Sequence, residues 1–389
     1  MHLPNYRDGS IVNLMQSILA GLGASDAGGG AHGHLALLGP SEVADARHVV
    51  LLVVDGLGQA QLDTGPAPAL HASLRGTMTS VFPSTTASAV TTFLTGLAPV
   101  EHAVTGWFMW LREIDSIVAP LPFTTRAEDD HPGSLGVSPA DVFAGPTVFE
   151  RVRADCHAVQ PADLVDSSYS RAHTRGAASR GFEGLGALVD SILDIVRHAR
   201  RRTYISAYWP VLDTLSHEFG ASSVEARRHL AEIDLHFGRL RAALAGSGTL
   251  LVVTADHGFV DVRPESRLDV ESVPGLAPML ARPLCGEPRL AYCYVRDDCR
   301  GAFAERAREG LDGAARVVDS TSMIEGGWFG LGDPHPRLRE RVGDFALVMR
   351  EDYAIRDRIA DEKPFLHVGV HGGVSREEMR VPLVVVPAS

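Results

Sequence analysis

The stretch HVVLLVV at His48–Val54, followed at once by Asp55 and Gly56, decides the fold class. After its leading histidine it is continuously apolar and rich in valine. A strand with one face in water alternates polar and apolar residues. A continuous run suits a strand covered on both faces, as in a parallel sheet. Three further runs read the same way: Tyr204–Trp209 (YISAYW), Gly248–Ala255 (GTLLVVTA) and Val381–Pro387 (VPLVVVP). Amphipathic helical patterns lie between them at Phe182–Arg200 and Ser223–Ala245. Another opens the chain at Ser10–Leu22, with Gly23 to stop it. Strands alternating with helices predict an α/β fold on a mostly parallel central sheet flanked by helices.

Residues 262–365 read differently, being richer in Arg, Pro and Gly, with short strand-like pieces at Arg289–Val295 and Phe345–Met349. The reading is a smaller inserted cap subdomain, with 1–261 and 366–389 forming the α/β catalytic core. The glycine-rich residues 23–34 read as a loop, and no internal repeat is found.

Of 389 residues, 45% are hydrophobic and 22% charged, the balance of a globular protein, so disorder is excluded as the main state. The formal charge is −12 and no dense Lys/Arg block occurs, which argues against binding the backbone of a nucleic acid duplex. A small phosphate ester remains compatible, because metal ions can meet its charge locally. The cysteines, at 156, 285, 293 and 299, form no CxxC pair and fit a reducing compartment. No secretory pattern and no run of about 18 apolar residues is present, so a cytoplasmic protein without a membrane span is expected.

In parallel sheets ligands gather beyond the carboxyl ends of the strands, so the residues after each run carry the function. Asp55 follows the first, a cation ligand or a turn residue capping a helix. The glycines at 56 and 58 do not make a dinucleotide site: a third glycine is missing and the preceding acid would oppose a pyrophosphate. Asp213 and His217 follow the second run in WPVLDTLSHEFG, four apart and therefore on one helix face. Asp256 and His257 follow the third in VVTADHGF, two adjacent metal-capable side chains or a structural pair. Near the C-terminus, FLHVGVHGG offers His371 before two glycines, with His367 as the alternative ligand.

Thr79–Gly96 (TSVFPSTTASAVTTFLTG) is rich in hydroxyls and reads as a helix start. Its free N–H groups suit an anion, and its hydroxyls serve either as caps or as a nucleophile. Three Asp, three His and one hydroxyl, each beyond a strand or at a helix mouth, fit two borderline divalent cations, with zinc the first choice. The aromatic stretch Gly106–Trp110 (GWFMW) reads as ordinary packing or as a platform for a planar leaving group.

In this order, VVDG, FPSTTAS…TG, DTLSH, ADHG and VHGG resemble the alkaline phosphatase superfamily. Within it they are most similar to the nucleotide pyrophosphatase/phosphodiesterase (type I phosphodiesterase) branch, from about residue 48 to 373. The resemblance implies one cation on Asp213, His217 and His371. It implies a second on Asp55, Asp256 and His257, with the nucleophile hydroxyl beside it. That branch uses the threonine three residues after a proline in a Phe-Pro context, which is Thr86 here, with Thr85 as the fallback. The implied chemistry is in-line attack by Thr86 on phosphorus, a phospho- or nucleotidyl-threonine intermediate, and release by water. The implied partner is a small phosphate ester, a nucleotide among the candidates.

The chain departs from the branch at one position. The branch carries an Asn some twenty residues past the nucleophile, on a phosphoryl oxygen, and the ungapped match here is Trp107. Phosphomonoester or phosphonate hydrolysis, a phosphoryl-transfer mutase and a non-catalytic metal-binding protein are the rival readings. The sulfatase signature and the serine nucleophile of cofactor-independent phosphoglycerate mutases are both missing.

Overall fold

The computed structural model describes residues 1–24, 30–126, 132–142, 145–359 and 367–388. Residues 25–29 of the glycine-rich stretch lie outside this set. So do residues 360–366, which include the expected end of the cap.

Seven strands form the central sheet: β1 (His48–Val54), β2 (Leu74–Thr79), β3 (Asp155–Pro161), β4 (Ala178–Phe182), β5 (Thr203–Trp209), β6 (Thr249–Thr254) and β7 (Arg380–Val386). Their order across the sheet is β2-β7-β6-β1-β5-β3-β4. The decisive run is the middle strand, and all seven of its residues are buried. β1 pairs parallel with β5, from His48 opposite Thr203 to Val54 opposite Trp209, and parallel with β6 on its other side. β3 continues the parallel set beside β5, and β4 beside β3. The sheet is therefore mostly parallel, flanked by helices.

β7 is the exception, antiparallel to both β2 and β6. An unbroken apolar run reports burial on two faces but says nothing about direction. β7 starts beside the end of β6, with Val384 opposite Val253, so the loop leading into it reaches the end of the sheet where the parallel strands finish. β2, β3 and β4 were not legible as runs. β2 and β4 are edge strands and are only partly buried. β3 lies inside the sheet but carries Asp155, His157 and Gln160 among its apolar residues.

The helices that matter for the site are α1 (Ile11–Gly21), α2 (Thr86–Thr95), α3 (Gly184–His198), α4 (Val211–Phe219) and α5 (Val224–Leu244). α5 buries Leu230, Ile233, Phe237, Leu240 and Leu244, the three- and four-residue spacing of one helix face.

Within 262–365 a four-stranded antiparallel sheet runs in the order Cys285–Glu287, Leu290–Cys293, Phe345–Met349, Ala315–Asp319. Side chains alternate across a strand, and here the two faces serve two cores. Ala291, Cys293, Leu347 and Met349 pack with Val270, Leu276 and Phe303 in a separate cluster. Leu290, Tyr292, Ala346 and Val348 join the main core.

Candidate active site

The elements converge at the carboxyl ends of the parallel strands. Asp55 follows β1, and its N–H donates to the carbonyl of Trp209, the last residue of β5. Gly56 then turns with φ 76, and a Cβ there would lie 3.1 Å from the Asp213 backbone. Only glycine allows that approach of the first loop to α4. Asp256 lies two residues beyond β6, and its Oδ1 accepts from the N–H of Gly56 at 3.0 Å. Asp213 and His217 stand one turn apart on α4. Thr86 is the first residue of α2 and Thr85 its N-cap. His371 follows Gly369–Val370, a short strand paired with Val260–Asp261.

All seven expected residues come together. Thr86 Oγ1 lies 3.0 Å from His257 Nε2 and 3.5 Å from Asp55 Oδ1. His257 Nε2 is 3.5 Å from Asp55 Oδ1 and 3.3 Å from Asp256 Oδ2. Asp213 Oδ1 is 3.5 Å from His217 Nε2 and 3.9 Å from His371 Nε2. The two histidine Nε2 atoms are themselves 3.2 Å apart. Ligand-capable atoms cluster in two groups, Asp213/His217/His371 and Asp55/Asp213/His257, so Asp213 stands in both.

The donor set fits divalent cations on three grounds. First, Asp213 Oδ1 and Asp256 Oδ2 are buried and have no hydrogen-bond partner among the described residues. Second, each histidine uses Nδ1–H on a backbone carbonyl and turns Nε2 inward. The carbonyls are Gly369 for His217 (2.8 Å), Ser84 for His371 (3.2 Å) and Gly258 for His257 (3.2 Å). Anchoring of this kind fixes the tautomer of a metal-ligating histidine. Third, among the described residues no Lys or Arg pairs with these carboxylates. Burial, then repulsion from Asp213 and Asp256, holds Asp55 well above the carboxylate range. Burial and the charge of Asp256 do the same for Asp213. Burial drives the histidines the other way, His217 down to about 3 and His371 well below its ordinary value, so both are neutral imidazoles. Tyr208 O–H donates to the second oxygen of Asp55.

Thr85 and His367 take other places. The Thr85 hydroxyl turns away to donate to Glu287. The His367 ring packs 4.2 Å from that of His217, on the wall of a cavity of about 590 Å3. Thr86, Asp213, His217 and His371 line this cavity, and Leu284, Pro288, Ala291 and Ile355 give it apolar walls. The aromatic stretch divides. Trp107 and Phe108 line the cavity, whereas Trp110 packs on Tyr294 elsewhere. The Arg126 guanidinium lies 4.4 Å over the Phe108 ring and pairs with Asp357 at 2.7 Å. Glu287 also lines the cavity and was missed by sequence reasoning, since nothing in its surroundings (CGEPRL) marks it.

An α/β hydrolase of the alkaline phosphatase superfamily is the class that this fold and the comparisons define. The chain belongs to the type I phosphodiesterase / nucleotide pyrophosphatase family, whose sequence pattern matches residues 49–373. It is an enzyme of the phosphate-ester hydrolase class. Murine ectonucleotide pyrophosphatase / phosphodiesterase 5 has a similar structure, with 16% identity, 86% of this chain and 87% of that chain covered, and a TM-score of 0.64. An inactive form of that murine protein was solved in complex with AMP. Phosphonoacetate hydrolase from Sinorhizobium meliloti 1021, in complex with phosphonoacetate, is similar at 16% identity, 88% and 90% coverage, and a TM-score of 0.62. No curated protein matches the chain by sequence. Among the described residues no helix is long and apolar enough to cross a membrane.

Proposed function

We propose that this chain hydrolyses small phosphodiesters or pyrophosphate linkages, nucleotides among them, with Thr86 as nucleophile. One observation carries the reading: Thr86 Oγ1 lies within 3.5 Å of both His257 and Asp55 on the cavity floor, while its neighbour Thr85 is committed to Glu287. Asp213, His217 and His371 would hold one divalent cation, and Asp55, Asp256, His257 and Thr86 a second. When bound, such cations, zinc by our reading, supply positive charge that lowers the pKa of a coordinated hydroxyl and offsets charge developing on oxygen.

The chain's own residues do the rest. Thr86 opens α2, so its Oγ1 and the free N–H groups of the first turn face the same phosphoryl group. Attack forms a bond from Thr86 Oγ1 to phosphorus and releases the ester oxygen. The phospho- or nucleotidyl-threonine is then cleaved by water, which returns the Thr86 hydroxyl. Asp55 keeps its position through Tyr208, and Asp256 through the N–H groups of Gly56 and His257. The apolar walls exclude water from the leaving group. Four unpaired cysteines support the accompanying proposal of a reducing, cytoplasmic compartment.

Phosphomonoester or phosphonate hydrolysis on the same site is the second reading. It is favoured by Trp107, which stands where the family has its Asn and whose N–H is taken up by Glu287. The test compares bis-p-nitrophenyl phosphate with p-nitrophenyl phosphate on zinc-loaded protein, alongside Thr86→Ala. A diester preference that vanishes in Thr86→Ala, with bound metal retained, supports the proposal. A monoester preference moves the assignment to the second reading. Full activity in Thr86→Ala removes threonine from the mechanism.

A further inference from the structure

Glu287 stands apart from the groups used so far. It ends the strand Cys285–Glu287, is 8% exposed, and shares the cavity with Thr86, Asp213 and His371. Two donors reach it, the Thr85 hydroxyl and the Trp107 N–H at 2.6 Å, and both converge on Oε1. Among the described residues no donor reaches Oε2 and no Lys, Arg or His pairs with the carboxyl. The side chain packs on Gly372, where a Cβ would lie 2.5 Å from Glu287 Cβ, so it cannot swing towards the His371 loop. With φ 107 at Gly372, that close packing needs glycine.

A buried carboxylate without a cation is costly, so such a group keeps its proton. Burial pushes Glu287 up to about 8. Because Oε1 accepts from two donors, the proton sits on Oε2, the oxygen left to the cavity. Resting on the reading of Thr86 as nucleophile, we infer that Glu287 binds substrate: its Oε2–H donates to a non-bridging oxygen of the phosphoryl group that Thr86 attacks. A neutral acid does this without repelling an anionic ester. Thr85 and Trp107 aim it in advance, as is required of a donor to charge that grows in the transition state. Glu287→Gln preserves the arrangement, with the amide oxygen accepting both hydrogen bonds and the NH2 donating into the cavity. Glu287→Ala removes the donor.

The experiment uses the full chain loaded with zinc, and methyl p-nitrophenyl phosphate with its Rp and Sp phosphorothioate analogues. Sulfur is a poor hydrogen-bond acceptor, so substituting the contacted oxygen removes the same interaction that Glu287→Ala removes. Glu287→Ala is expected to lower kcat/KM for the oxygen ester on the order of 100-fold, the usual loss for one such donor. Glu287→Gln should stay within about tenfold of wild type. One phosphorothioate isomer should be discriminated against by wild type and Glu287→Gln but markedly less by Glu287→Ala. If Glu287→Ala is slow yet its sulfur effects match wild type for both isomers, Glu287 only braces Thr85 and Trp107, and the inference fails. Unchanged activity in Glu287→Ala also overturns it. Should Glu287→Ala fail to fold, Glu287→Asp, which withdraws the carboxyl by one methylene, is read the same way. Thr86→Ala separates the two claims. An inactive Thr86→Ala with unmoved sulfur effects at position 287 sinks this inference alone, whereas an active Thr86→Ala sinks both.

Discussion

Threonine is a poor nucleophile in water, so the role we propose for Thr86 depends on its position. It opens a ten-residue helix, it is 7% exposed, and its hydroxyl lies 3.5 Å from the buried Asp55, which has no Lys or Arg partner among the described residues. Asp213 is the residue on which most depends: proposed as a ligand of the first cation, it also lies in the second group of ligand-capable atoms. Asp213→Ala should therefore strip more metal than His371→Ala when dialysed proteins are compared by elemental analysis. Equal losses would mean that Asp213 serves one cation only. Most of the candidate site residues could be picked out in the sequence because they follow an apolar run or open a helix, as Asp55, Asp256 and Thr86 do. Glu287 could not be, because the role we infer for it arises from a strand that meets the start of α2 only in three dimensions.

At the scale of elements, a buried ion pair links the four-stranded antiparallel sheet to the loops carrying His371 and His257. Arg289 and Glu378 are both fully buried and meet at 3.1 Å. Arg289 also donates to the carbonyls of Arg350 and Tyr353. The Glu378 carboxylate accepts from the Gly373 N–H at 2.8 Å, and its backbone carbonyl accepts from the Gly258 N–H at 2.8 Å. One residue thus ties the loops carrying His371 and His257 to the strand hairpin beside Glu287. Breaking one side of such a pair leaves a buried charge unpaired, typically a loss of about 3–5 kcal/mol. Arg289→Met should lower stability by that order in urea unfolding, and Arg289→Met with Glu378→Leu should recover part of it. An unchanged midpoint in the single variant would show that the pair does not brace these loops. Sequence pattern showed the four unbroken apolar strands well, but not the edge strands β2 and β4, which need only partial burial, nor the interior β3, whose apolar run is broken by polar residues. It could not show that Leu290 and Ala291 face different cores, because a short apolar strand reads alike in either setting. We propose that this two-faced sheet acts as the cap over the cavity.

For the molecule as a whole, buried neutral histidines make stability depend on pH. Burial holds His173, stacked 4.1 Å from Tyr169, down at about 4. Its unfolded value is near 6.5, so between these limits the unfolded chain binds the extra proton. The stabilising difference is complete above about pH 6.5 and is lost as pH falls towards 4, up to about 3 kcal/mol from this residue. His173→Phe keeps the ring packing and removes the titration. Its unfolding free energy should fall less than that of wild type between pH 7.5 and 4.5. Parallel curves would show that His173 is not held neutral. The net charge of −12 gives no attraction to polyanions, so recognition of a phosphate ester rests on the local site at the strand ends. The most direct test of that site is an acid quench of zinc-loaded protein during turnover of bis-p-nitrophenyl phosphate, followed by mass spectrometry of its peptides. The account predicts a phosphoester adduct on Thr86, absent from Thr86→Ala; an adduct on another residue, or steady turnover with no adduct, would contradict it.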